Sequence, residues 1–216
     1  MNNMRRWEAN LTRLIDTIPH SDIGGWSGWP SVINFAQFLR QNANSEFDVF
    51  CVLDRDYHTN EEIETRLNQA SQANVKLHIW SAKELENYAV VPTAVARLLS
   101  KESRRQVDVA DVEEIVTTYV NSTKDDAFDA CSEAERLLEP KLGVPNANRK
   151  ARPEFTKRWQ ESNGFHVVGG KNLLSAVTKW AQDTHGISFS IFALLRESHA
   201  DEIAPEVADF IKGVTE

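Results

Sequence analysis

"FDVFCVLDRDYH", residues 47–58, decides how this chain is read. The first seven residues are apolar but for Asp48, rich in β-branched and aromatic side chains, and too short for a helix. That composition predicts a strand covered on both faces. The strand then runs directly into Asp54 and Asp56, two carboxylates with one residue between them. Downstream, "YHTNEEIETRLNQA" places Thr59 three residues before Glu62, the spacing of a capping box, so a helix is expected almost at once. "VKLHIW" (75–80) predicts a second strand, and "SAKE" repeats the capping-box spacing with Ser81 and Glu84. Strand, helix, strand, helix at this interval argues for βαβ units and an α/β fold with a mostly parallel sheet flanked by helices.

Upstream of the strand, "RRWEANLTRLIDTIP" carries Trp7, Leu11, Leu14 and Ile15 at helical spacing and ends at Pro19. A glycine- and tryptophan-rich loop, "SDIGGWSGWPS", follows. Pro30 then stands where a first helical turn accepts proline, and Val32, Phe35, Phe38 and Leu39 predict the apolar face of the next helix. Beyond the second strand, the pattern from Thr93 to Pro140 is helical and acidic, which reads as an insertion. "KLGVPNANRKARPEFTKRW" then sets Lys141, Arg149, Lys150, Arg152, Lys157 and Arg158 against a single acid, Glu154, in what reads as a basic loop. "FHVVGGKNLL" (165–174) predicts a third strand, a glycine turn and a helix that stops at Gly186. The expected organisation is a core over 1–92, a helical insertion over 93–160 with its basic segment at 141–158, and a return to the core over 161–216.

Bulk properties narrow the classes. A chain of 216 residues with 41% hydrophobic and 26% charged residues is an ordinary globular protein. No apolar run reaches the roughly 20 residues needed to span a bilayer, and the start lacks a signal-peptide core. Cys51 and Cys131, far apart in sequence, read as buried thiols of a cytoplasmic protein rather than as a disulfide or a zinc site. The net charge of −8 argues against a surface that binds nucleic acid everywhere, though not against a local basic track.

Two adjacent carboxylates repel unless a cation lies between them, and hard divalent ions with oxygen ligands are the usual solution. Asp54 and Asp56 are therefore candidate ligands, with helix capping as the competing role. Glu84 and Glu86 follow the second strand and are candidates for a third carboxylate, against exposed first-turn acids favoured by the helix dipole. Lys171, after a glycine turn at a helix start, is placed to face a phosphate, against the role of an ordinary solvated lysine.

"CVLDRDYH" together with "LHIWSAKELENYAVVP", "VVGGKNLL" and the "GGWSGWPSVINFAQFLR" segment resembles the Toprim domain of OLD-family (overcoming lysogenization defect) ATP-dependent endonucleases. The resemblance covers most of residues 20–98 and a piece around 165–175. It implies a Toprim-like, Rossmann-like core in which Asp54, Asp56 and Glu86 hold one or two Mg²⁺ or Mn²⁺ ions. Lys171 and Glu86 then act at the scissile phosphate in metal-dependent hydrolysis of DNA. It also implies an ABC-type ATPase domain in cis or in trans, a setting in phage defence, no membrane, and room for a homodimer. Apart from the resemblance, Arg149, Lys150, Arg152, Lys157 and Arg158 could follow a nucleic-acid backbone by counterion release, against the role of an ordinary solvated surface.

The pattern departs from the family at its start, where a strand ending in glutamate is expected and Glu8 lies instead in a helical stretch. The expectation is a fragment or truncated homologue that binds metal poorly and cleaves weakly by itself. Two other classes stay open. A degenerate Toprim domain would serve as a scaffold or a nucleic-acid-sensing module. A haloacid-dehalogenase-type phosphatase would use the first Asp of the DxD as nucleophile, but its second paired-Asp loop has no counterpart, since Asp125 and Asp126 lie in a helical stretch.

Overall fold

The computed structural model describes residues 19–42 and 47–215, so the helix expected over residues 5–19 lies almost wholly outside the described residues. The chain divides into two compact units. One comprises the described residues up to Leu53, with Glu64–Ile79 and Ile203 onward; the other comprises Asp54–Ile63 and Trp80–Glu202. The expected return of 161–216 to the core is thus split, 161–202 falling with the helical stretch and 203–215 with the strands.

The first unit is built around one parallel strand pair, β1 (Val49–Leu53) and β2 (Val75–Ile79), in register from Val49 opposite Val75 to Leu53 opposite Ile79. Helix α1 (Trp29–Asn42) precedes β1, and α2 (Asn60–Ala73) joins the two strands. Trp29, Val32, Ala36, Cys51, Leu53, Ala70, Ala73 and Val75 form its core. The Trp29 indole donates to Gln69 Oε1 at 2.9 Å, and the Arg66 guanidinium lies over Trp26 and Trp29.

Two expectations are corrected here. β1 is not sealed on both faces, because Cys51 and Leu53 are buried while Val52 between them is 38% exposed. A pair of strands has one face's worth of helix to bury against, so period-two alternation appears despite the unbroken apolar sequence. The inner face of α1 is Trp29, Val32, Ile33 and Ala36; Phe35 and Phe38 point outward, more than half exposed. The final helix, α10 (Pro205–Thr215), meets β2 through His78, which lies 3.3 Å from Glu206 and stacks near Phe210.

The second unit is helical. α3 (Glu86–Ala89), α4 (Pro92–Ser103), α5 (Val109–Ser122), α6 (Lys124–Leu138), α7 (Val144–Ser162), α8 (Gly170–His185) and α9 (Ile191–Glu197) follow in order. Its main core joins Val95, Leu98 and Leu99 of α4, Val112, Val116 and Val120 of α5, Leu173, Val177 and Ala181 of α8, and Leu194. These recur at three- and four-residue intervals, so each helix buries one stripe. Asp108 caps α5 by accepting the Ala110 N–H, and Ser190 caps α9 by accepting from Ala193. A second cluster packs Ala127 and Phe128 of α6 against Phe155 and Trp159 of α7, with Tyr57 and Val167.

The helical insertion is present as α4 to α6, but the basic segment is not a loop. Residues 144–162 form α7, whose Ala147, Ala151 and Phe155 are buried at four-residue spacing. The expected third strand is also absent. Residues 163–168 make tight turns, with the Val167 and Val168 N–H groups both donating to Gly164 O, while both valines are fully buried. A short apolar run carries no period that separates a strand from a buried turn, and here the burial is against helices. Among the described residues no helix is long and apolar enough to cross a membrane. Both cysteines are free, Cys51 buried and Cys131 half-buried, and burial raises both thiols, Cys131 to about 11.

Candidate functional site

Asp54 is the first residue after β1, and the chain turns there. Asp56 adopts a left-handed backbone (φ 48°), tolerated by Asp better than by most residues, and its N–H donates to Lys83 O at 2.9 Å. The two carboxylates are therefore neighbours through a turn, not through the period-two alternation of an extended segment. The helix after them starts as expected. Glu62 Oε2 accepts the Thr59 N–H at 2.9 Å while Thr59 Oγ1 accepts the Glu62 N–H at 3.2 Å, a closed capping box. His58 is turned to Glu62, with its Nδ1 3.1 Å from Oε1.

The second expected capping box does not form. Ser81 Oγ pairs with Tyr88 Oη at 3.0 Å, and α3 begins only at Glu86. Glu84 instead reaches 87 residues along the chain, where its Oε2 accepts the Lys171 N–H at 2.9 Å in the first turn of α8. Its Oε1 takes the Lys83 ammonium at 3.1 Å. Burial alone would raise the Glu84 carboxyl, but the Lys171 N–H and the Lys83 ammonium outweigh it and hold the group below its ordinary value. The N-terminus of α8, where an anion was expected to be received, thus holds a carboxylate of the protein itself.

Asn87 locks this corner. Its side chain is buried, its Oδ1 accepts the Glu84 N–H at 3.0 Å, and its Nδ2 donates to Phe165 O at 2.7 Å and Val168 O at 3.1 Å. Three carbonyls of the 165–168 turn, lacking a strand partner, are satisfied by this amide and by the Lys83 N–H, which donates to His166 O at 2.8 Å. Gly170 is required for that approach, because a Cβ there would fall 2.6 Å from Asn87 N and Oδ1.

Around this frame the acidic side chains gather. Asp54 Oδ1 accepts the Leu85 N–H at 3.0 Å. Burial pushes the Asp54 carboxyl above its ordinary value; the Leu85 N–H pulls it down, neighbouring Asp56 and Glu86 push it further up, and Lys171 opposes them. Lys171 Nζ lies 4.0 Å from Glu86 Oε1 and its side chain is 63% exposed, an ammonium facing solvent beside the acids. Segments 54–56, 84–86 and 170–171 are brought to one place. The residue types suit a hard divalent ion, since a cation would relieve the crowding at Asp54. Among the described residues, however, no three His, Cys, Asp or Glu side chains converge closely enough to hold a metal.

The basic residues separate into two groups. Arg149, Arg152 and Lys157 share one exposed stripe of α7 with Pro145, Asn148, Pro153, Thr156 and Gln160, which together line an open groove of about 560 Å³. Lys150 is engaged by Glu135 at 2.8 Å, with Glu61 at 3.9 Å. Arg158 turns inward, toward Arg55 and Ser81. Sequence reasoning missed Arg55, Lys83 and Asn87. Arg55 was visible as the middle residue of D-R-D and Asn87 as the middle of E-N-Y, whereas nothing local marked Lys83. Compared with family models, curated proteins and solved structures, the chain matches none significantly.

Proposed function

We propose that the acidic corner of the helical unit is a phosphodiester-hydrolysing site of the Toprim type, acting on a nucleic acid guided along α7. The observation that carries this reading is the gathering of Asp54, Asp56 and Glu86 with the solvent-facing Lys171 from three segments far apart in sequence. Asp54, Asp56 and Glu86 would hold Mg²⁺ or Mn²⁺, which when bound supplies an activated water and a Lewis acid. Lys171 offsets charge on the phosphate, held in place by the Glu84 bond to its own N–H and by the Asn87 frame. Arg149, Arg152 and Lys157 provide the exposed backbone-following face. An ATPase domain in cis or in trans, and a role in phage defence, belong to the same proposal.

A second reading has its own support. The acidic side chains are not drawn into a three-ligand cage, and the first turn of α8 is already served by Glu84, as suits a non-catalytic scaffold. Calorimetric titration with Mn²⁺, run beside a DNA cleavage assay, separates the two. The nuclease reading expects Mn²⁺ binding that Asp54→Ala abolishes, with cleavage that falls at least tenfold in Asp54→Ala and Lys171→Ala, the size expected when one charged group facing the transition state is removed. No Mn²⁺ heat in the unsubstituted protein leaves the scaffold.

A further inference from the structure

The D-R-D turn carries a second feature besides its carboxylates. Arg55 and Arg158 meet across a pocket of about 380 Å³ that is also lined by Asn60, Ser81, Lys157 and His166. The acids facing this pocket are Glu154 and Glu161, so with His166 neutral its fixed charge is three cations against two anions. Glu154 Oε1 forms an ion pair with Arg55 Nη2 at 3.6 Å, and Arg55 donates to Asn60 Oδ1 at 2.7 Å. Arg158 Nη2 donates to Ser81 O at 3.5 Å.

Two guanidiniums and the Lys157 ammonium lining one pocket offer an anion three cationic groups. Burial first, and the Arg55 charge next, lower Arg158 to about 10. A guanidinium fork matches the oxygens of a phosphate two at a time, and a pair of forks matches a phosphate from two sides. The placement also has a direction. Lys157 lines both this pocket and the α7 groove, so the groove's basic stripe leads into the pocket, and Arg55 sits between Asp54 and Asp56.

We propose that the Arg55–Arg158 pocket is a binding site for a phosphate group of the nucleic-acid chain, seated beside the acidic corner and reached along the Arg149, Arg152 and Lys157 stripe. The identity of the ligand as nucleic acid rests on the nuclease reading above; the existence of a phosphate pocket does not.

The test uses the full chain in EDTA, so that metal binding plays no part. Inorganic phosphate is titrated while the arginine side-chain N–H signals are followed by NMR, with chloride at equal ionic strength as the control. Saturable movement of two arginine signals with phosphate and not with chloride is expected. Arg55→Ala and Arg158→Ala should each weaken binding by about tenfold or more, as for loss of a charge-assisted hydrogen bond, while Arg136→Ala, at an exposed ion pair with Glu133, leaves it in place. Signals that move equally with chloride, or affinity unchanged in Arg55→Ala, overturn the proposal. Should Arg158→Ala fail to fold, Arg55→Ala and Arg158→Lys carry the test, the latter keeping charge and losing the fork. Titration of a dinucleoside monophosphate and of a 5′-mononucleotide identifies the source: tighter binding of the first supports an internal backbone phosphate, and of the second a chain end. Binding of neither, with phosphate itself bound, removes nucleic acid as the ligand and overturns the proposal in that form. Absence of Mn²⁺ binding at Asp54 would sink the nuclease reading without touching this result.

Discussion

Asn87 does more for the candidate site than any residue that carries charge in it. One buried amide satisfies the Glu84 N–H and two carbonyls of the 165–168 turn. Asn87→Ala would strand these groups, and a loss of about 3 kcal/mol in urea-denaturation stability is expected from unmade buried hydrogen bonds. A loss under about 1 kcal/mol would show that the corner is held elsewhere. Asp54 behaves oppositely. Its carboxyl is raised by burial and by Asp56 and Glu86, so its ionisation disfavours the folded state. Stability should fall as pH rises from the unfolded-chain value near 4 into the raised folded value, and stay lower above it. Asp54→Asn keeps an acceptor for the Leu85 N–H and removes the charge, so it should raise the melting temperature at pH 7 and lose that advantage below pH 4. Equal gains at both pH values would show that charge is not the cause.

Among the helices, two junctions show how local and distant partners divide the work. The start of α2 is self-contained, since Thr59 and Glu62 cap each other within four residues. The start of α4 depends on a residue more than 100 positions away. Glu202 accepts from the Arg97 guanidinium at 2.6 and 3.1 Å, from Thr93 Oγ1 and from the His199 N–H at 2.7 Å. The Arg97 hydrogen bond leads in holding the Glu202 carboxyl down to about 2, against burial. A depressed carboxyl contributes stability above its unfolded value near 4.3, and that contribution is lost as pH falls toward 2. Glu202→Gln should therefore lower stability at pH 7 by about 1 kcal/mol, allowing for solvent screening of a surface pair. The gap from the unsubstituted protein should close between pH 4.3 and 2; a gap independent of pH would assign the effect to packing.

Taken across the whole chain, charge is distributed against its average. A net −8 coexists with an exposed basic stripe on α7, and a local field suffices to meet a polyanion. Replacing Arg149, Arg152 and Lys157 together by Ala should flatten the dependence of log affinity on log salt by about 2 to 3 units, since each phosphate that a cation neutralises adds about 0.7 to 0.9 to the slope. Lys150→Ala should leave that slope nearly unchanged, because Lys150 is already engaged by Glu135. Equal effects of Lys150→Ala and of each exposed substitution would mean that the stripe does not track the backbone.

What the sequence determined by itself was whatever is settled within a few residues. The strand–helix–strand order around Asp54, the reciprocal cap of Thr59 and Glu62, the helicity of 93–138 and the nearness of Asp54 to Asp56 all rest on short-range hydrogen bonding and propensity. The tertiary structure decided what depends on partners far along the chain. Glu84 answers α8 rather than capping its own helix, because the Lys171 N–H is there to be satisfied. Residues 165–168 turn instead of extending, because Asn87 and Lys83 supply the hydrogen bonds a neighbouring strand would have given. Which of the five cations on α7 face water follows from which face of the helix buries Ala147, Ala151 and Phe155. An unbroken apolar or basic run states only that burial or charge is present, and its direction is set by the surface it packs against.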